Sequence, residues 1–213
     1  MKSKSPIFQE IYQNYMKQIS RLDLRTIAQK ADIEWSRDSL FLPLFEKPHK
    51  ISKNKILDPS GKEPNHSVKV VLCKYLLLYP SSYPKDDTLV SYKGFPDAAP
   101  FVDAFHNNAE MNIAKTFSGR LNALREACLK LGGCKPSINW AYHLQMRFDA
   151  LPKIPILLLF NDADDEFPAQ CLLLFERRAG KYLDMECLAI LGWLLAGYLY
   201  ELSENTSVRD RYV

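Results

Sequence analysis

Four carboxylates crowd into five residues at Asp162-Ala-Asp-Asp-Glu166, followed at once by Phe167-Pro168, with apolar runs on either side. Hard cations such as Ca²⁺ and Mg²⁺ prefer several carboxylate oxygens converging from one short loop. Asp162, Asp164, Asp165 and Glu166 are therefore candidate metal ligands or acid/base groups. The order lacks the glycine at the sixth position and the distal glutamate of an EF-hand. An apolar strand ending in Asp162-Ala-Asp164 also resembles the phosphatase motif in which one aspartate attacks phosphorus and the next but one handles the leaving group. That motif continues to Thr or Val where this chain has Glu166, and no second acidic motif follows. The competing reading is a solvated hairpin loop with local backbone caps. Phe167-Pro168 sets an apolar pair against the charges and gives the loop a fixed shape. Asp162, Asp164, Asp165, Glu166 and Phe167 together form the candidate binding surface.

Other chemistry has less support. His49, His66, His106 and His143 show no H-x-x-x-H or H-E-x-x-H spacing, so the sequence offers no zinc site. Cys128 and Cys134 flank Gly132-Gly133, but isolated cysteines most often act as small buried hydrophobes. No G-x-S-x-G elbow, G-x-G-x-x-G fingerprint or Walker loop is present. Arg177, Arg178 and Lys181 follow the last apolar run closely enough to meet the acidic turn or a phosphate, or simply to solvate the turn at Gly180.

The elements that must position these residues can be read from periodicity. Apolar runs bounded by turn residues predict strands at 154–160 and 170–176, preceded by a strand at 139–148. The connections are too short for crossovers, so the expected sheet is antiparallel. A helix over 183–202 has almost no polar face and must be buried in the fold or across a subunit interface. Upstream, Ser5 and Pro6 open a helix carrying Ile7, Phe8, Ile11, Tyr12, Tyr15, Met16 and Ile19, and Asp23 caps a shorter one. Residues 40–45 and 49–54 read as a hairpin, with Pro43 confining its strand to an edge or bulge. Residues 66–79 read as a buried helix, 89–95 as a short strand, 98–106 as a brief helix, and 109–131 as a longer one ended by Gly132-Gly133. The fold class is α+β, an antiparallel sheet with helices packed on it in one globular domain over 1–213. Residues 40–79 and 154–200 echo each other as strand, strand, helix, which suggests two related halves.

Composition excludes several classes. At 213 residues and 47% hydrophobic, the chain can bury one sizeable core. A net charge of +3 with no basic stripe gives no case for nucleic acid. Lys47, Lys50, Lys53, Lys55 and Lys62 alternate with turn residues and read as a solvated hairpin. Five cysteines without a C-x-x-C pair, behind an N-terminus unlike a signal peptide, imply free thiols in a reducing cytoplasm. The apolar stretch 187–200 is shorter than the roughly 20 residues that cross a bilayer, so no membrane span is expected.

At Leu151-Pro-Lys-Ile-Pro155, Asp164-Asp-Glu-Phe-Pro168, Leu174-Phe-Glu176 and Tyr182-Leu183 the chain resembles a domain-of-unknown-function family of uncharacterised proteins from anaerobic bacteria and archaea. The signature is a proline-bounded strand, a D-E-F-P turn, a second strand and Tyr-Leu before the last helix. Some relatives carry an added cysteine-rich iron-sulfur segment, which implies a setting in anaerobic redox or cofactor metabolism. This chain has no such segment, so any cluster would come from a partner. The resemblance carries over no catalytic residue and no cofactor. The expected function is a cytoplasmic, non-catalytic binding or accessory protein whose recognition surface includes the acidic turn, with a protein partner or a second copy of the chain as its target. The alternative is a metal-dependent enzyme built on Asp162 to Glu166. An enzyme would enclose these side chains among converging polar groups, whereas a binding module would set them on a rim beside exposed apolar surface.

Overall fold

Short-range chemistry sets the starts and turns of the elements. The computed structural model describes residues 6–209. Helix α1 (Pro6–Ile19) buries Tyr12, Met16 and Ile19, while Ile7, Phe8 and Ile11 remain exposed. The proposed Ser5 cap lies outside the described residues. Asp23 caps α2 (Leu24–Ala31) by accepting the Thr26 N–H at 3.1 Å, as its position predicts. Asn65 does the same for α3 (His66–Leu77), accepting from Val68 N at 3.0 Å.

The fold is α+β, and its strands form two antiparallel sheets where the sequence suggested one. The first has the order β1-β2-β3-β4, with β1 Trp35–Ser36, β2 Ser39–Leu44, β3 Lys47–Ile51 and β4 Ile56–Leu57. Phe45 and Glu46 both have positive φ, 47° and 62°, so the β2–β3 loop has the sign at both central residues that matches strand twist. Pro43 pairs with Pro48 beyond the reach of β1, where a missing N–H breaks no ladder on the other side.

The second sheet has the order β5-β8-β7-β6, with β5 Leu89–Ser91, β6 Leu144–Leu151, β7 Ile154–Asn161 and β8 Gln170–Glu176. β6 begins five residues later than the apolar pattern suggested. Residues 139–143 instead form a loop held by Gln145, whose side chain accepts from Trp140 N at 3.0 Å and donates to Trp140 O at 2.7 Å. The hairpin β6–β7 turns at Pro152-Lys153, where Lys153 has φ 67°. β7 is central and buried on both faces: Ile156, Leu158 and Phe160 enter the main core, whereas Leu157 and Leu159 join Leu174 in a second apolar cluster.

Between α3 and β6 the expected helix 109–131 is broken. The helical segment runs as α4 (Val102–Phe105), a π-helical turn (His106–Glu110) and α5 (Met111–Phe117), stops at Gly119 with φ 69°, and resumes as α6 (Leu121–Lys130). The last helix, α7 (Met185–Arg209), lies centrally, with Leu188, Leu191, Leu195 and Leu199 fully buried. Each such side chain contributes about 1.5–3 kcal/mol on leaving water. A Cβ at Gly192 would stand 2.5 Å from Phe105, so this glycine lets α4 close onto α7. The stretch Met185–Glu204 is long and apolar enough to cross a bilayer, but half of its most apolar window is buried within the fold. The two strand-strand-helix segments end in α3 and α7, which pack against each other.

Candidate functional site

The acidic turn connects β7 to β8, and main-chain N–H groups occupy its carboxylates. Asp162 accepts from Gly119 N at 2.6 Å and from its neighbour Ala163 N at 2.9 Å, which ties the turn to the break between α5 and α6. Asp164 Oδ1 accepts from Glu166 N and Phe167 N at 2.9 and 2.7 Å, and Asp164 N donates to Phe167 O at 3.0 Å. Those two N–H groups, from Phe167 first and then Glu166, hold the Asp164 carboxyl below its ordinary range. Asp165 and Glu166 are exposed, and Phe167 stands 60% exposed beside them. His143 Nδ1 accepts the Asp162 N–H at 2.9 Å, which fixes the ring with its proton on Nε2.

The donors do not converge as a metal site requires. Among the described residues no group of three His, Cys, Asp or Glu side chains is arranged to hold an ion. Nor do the nearby arginines reach the turn. Arg177 pairs with Asp86 at 3.7 Å, while Arg178 pairs with Glu176 and Tyr83, all at the opposite end of β8. A seven-residue strand separates the two ends, so closeness in sequence after the strand is distance in space. Cys128 is buried and Cys134 exposed, and neither pairs with another cysteine.

The turn borders a depression of about 670 Å³ lined by Tyr142, His143, Asp162, Asp164, Phe167 and Gln170. Tyr142, Pro168 and Gln170 also belong to the wall of a larger cleft of about 970 Å³. This cleft runs between the first residues of β8 and the helical segment 102–118. Its helical wall presents His106, Glu110, Met111, Ala114 and Lys115, and Lys93 stands where β5 ends. β5 covers only Leu174, Phe175 and Glu176 of β8. Past Ser91 the chain leaves the sheet because Tyr92 turns inward, stacks on Phe105 at 4.3 Å and donates its hydroxyl to Met185 O at 2.6 Å. Of the rest of that β8 edge, Gln170, Cys171 and Leu172 face the cleft.

Sequence reasoning missed the pair that closes one end of this edge. Glu110 is buried on the π turn; its Oε1 accepts the outward N–H of Leu173 at 3.0 Å, and its Oε2 lies 2.9 Å from His106 Nδ1. At this distance a carboxylate accepts a hydrogen bond from His106 Nδ1–H. The H-x-x-x-E spacing of His106 and Glu110 was present in the sequence, but ordinary helical geometry would not have aimed it at a strand edge. A π turn adds a residue to the helical register and frequently marks functional sites.

Residues 23–198 match the family described as a domain of unknown function, DUF3786. The chain belongs to this family. The match spans both sheets, the cleft and most of α7. No curated protein and no solved structure matches the chain.

Proposed function

We propose that the chain is a cytoplasmic, non-catalytic binding or accessory protein that captures another protein through the cleft beside β8, with the acidic turn as its rim. The observation that carries this reading is the setting of the turn: exposed carboxylates and an exposed Phe167 stand on the rim of a cleft whose wall sets apolar Met111, Ala114 and Leu172 beside polar His106, Glu110 and Lys115. Unpaired thiols support a reducing compartment. The family resemblance supports a role in anaerobic redox or cofactor metabolism, with any iron-sulfur cluster carried by the partner.

A photo-crosslinking residue in place of Phe167, used in cells, tests the reading. Crosslinks to one partner are expected, and they should be lost both in Met111→Trp, which fills the cleft, and in the combined Asp164→Asn, Asp165→Asn, Glu166→Gln variant. Unchanged crosslinking in both variants would refute it.

A further inference from the structure

The open part of β8 has an orientation that can be worked out from its neighbours. Arg177 N donates to Thr88 O on the β5 side, and Leu173 N donates to Glu110 on that same side. Main-chain groups alternate along a strand, so the odd-numbered residues of β8 point away from β7. Cys171 therefore directs its N–H and C=O into the cleft, where no hydrogen bond from the described residues meets them. Leu173 turns its carbonyl to the same side, but there it meets the chain leaving β5 at Tyr92, and Leu173 is fully buried. The Glu110 carboxylate already occupies the place of a strand carbonyl opposite Leu173.

An uncovered edge in an apolar sheet recruits another strand unless something blunts it. Here the cleft leaves space beside the first residues of the edge, bounded by the helical segment that meets β8 at Glu110, and the acidic turn lies just before its first residue. We propose that the cleft takes an extended peptide segment of the partner as an added strand, antiparallel to β8 along residues 170–172, with a basic residue near its C-terminal end facing Asp164, Asp165 and Glu166. This rests on the reading of the cleft as the recognition surface. The added strand continues the line of β5, which is itself antiparallel to β8, so its C-terminal end reaches the acidic turn. One peptide residue, opposite Cys171, exchanges both hydrogen bonds with it. Cross-strand neighbours share a face. Cys171 packs on the main-core side, so that peptide residue turns its side chain toward Met111 and Ala114 and should be apolar. Its two neighbours turn toward the side of Tyr142 and Leu172, which belong to the second apolar cluster.

Selection from a displayed library of random linear peptides on the whole protein, followed by synthesis of the enriched sequences, tests this. The expected sequences have an apolar residue followed within a few positions by Lys or Arg. Methylating the nitrogen of the residue opposite Cys171 should weaken binding roughly tenfold or more, the scale of a lost hydrogen bond with its steric penalty. Cys171→Pro should do the same, since proline is tolerated on a strand edge whose N–H faces outward. In the ¹⁵N spectrum of the parent protein, the Cys171 amide should shift and gain exchange protection on binding. The methylated peptide needs no protein variant and so stands even where Cys171→Pro fails to fold.

Binding lost in Met111→Trp but retained by both methylated peptides and Cys171→Pro would overturn strand addition and leave the cleft as the recognition surface. Binding retained in Met111→Trp as well would remove both. No enrichment over the Met111→Trp protein would overturn the peptide as the occupant.

Discussion

Asp164 commits one carboxylate oxygen to two main-chain donors, and this accounts for how four acidic residues can share one turn. The bonds that lower its proton affinity also neutralise the repulsion that a cation would otherwise relieve. Millimolar Mg²⁺ or Ca²⁺ is therefore expected to leave the melting temperature unchanged, and a clear rise in calorimetry would restore the metal-ligand reading. His49 supplies a pH signature of its own. It is buried, with Nδ1 2.9 Å from Lys47 O, and desolvation pulls its proton affinity below the ordinary imidazole value. In the window just below about pH 6.5 the unfolded chain then binds more protons than the folded one, so stability falls as pH falls. Denaturant unfolding at pH 7.5 and 5.5 should show that loss, and His49→Gln should reduce it; equal slopes in the two proteins would dismiss His49 as the cause. The position of the acidic turn was legible because turn residues between two apolar runs leave little choice. The use of its carboxylates was not, because Gly119, which donates to Asp162, lies 43 residues away in sequence.

At the scale of elements, legibility followed the strength of the apolar pattern. β7, β8 and α7 were readable because their apolar runs are nearly unbroken in sequence, which leaves no polar face to obscure the pattern. The start of β6 was obscured because the 139–143 loop carries Trp140, Ala141 and Tyr142, which read as strand, although Trp140 and Ala141 are exposed and only Tyr142 packs on the second apolar cluster. The π turn left no mark at all, since it depends on how α4 and α5 pack on α7. Leu191→Ala should cost about 2 to 5 kcal/mol by denaturant unfolding, because its side chain is completely enclosed. A loss below ~0.5 kcal/mol would contradict the central place of α7. Gly192→Ala tests the neighbouring contact from the opposite direction. The added methyl meets the Phe105 ring, and overpacking of this kind costs roughly 1–3 kcal/mol. Phe105 also stacks on Tyr92, so the strain should pass to the place where β5 leaves the sheet, and binding in the cleft should weaken along with stability.

The whole molecule joins two sheets and their helices through one main apolar core, which draws residues from α1 through α7. A shared core should make its buried groups accessible together, through global opening, more than one by one. The five thiols report on this. Cys73, Cys128 and Cys187 are buried, and desolvation pushes the Cys73 thiol up to about 12 and raises those of Cys128 and Cys187. Cys171, in the wall of the cleft, is also raised well above the ordinary thiol value, by burial first and then by Glu110. Only the thiolate attacks a disulfide reagent, so ionisation protects these four, and burial also bars access to Cys73, Cys128 and Cys187. Cys134 is exposed at the mouth of the turn after α6. Titration of the native protein with an aromatic disulfide at pH 8 should give one fast thiol, absent in Cys134→Ser, and four that appear together at the rate of unfolding. Raising denaturant should accelerate those four in parallel. A second fast thiol that survives Cys134→Ser and disappears in Cys171→Ser would show that the cleft opens on its own, without the core.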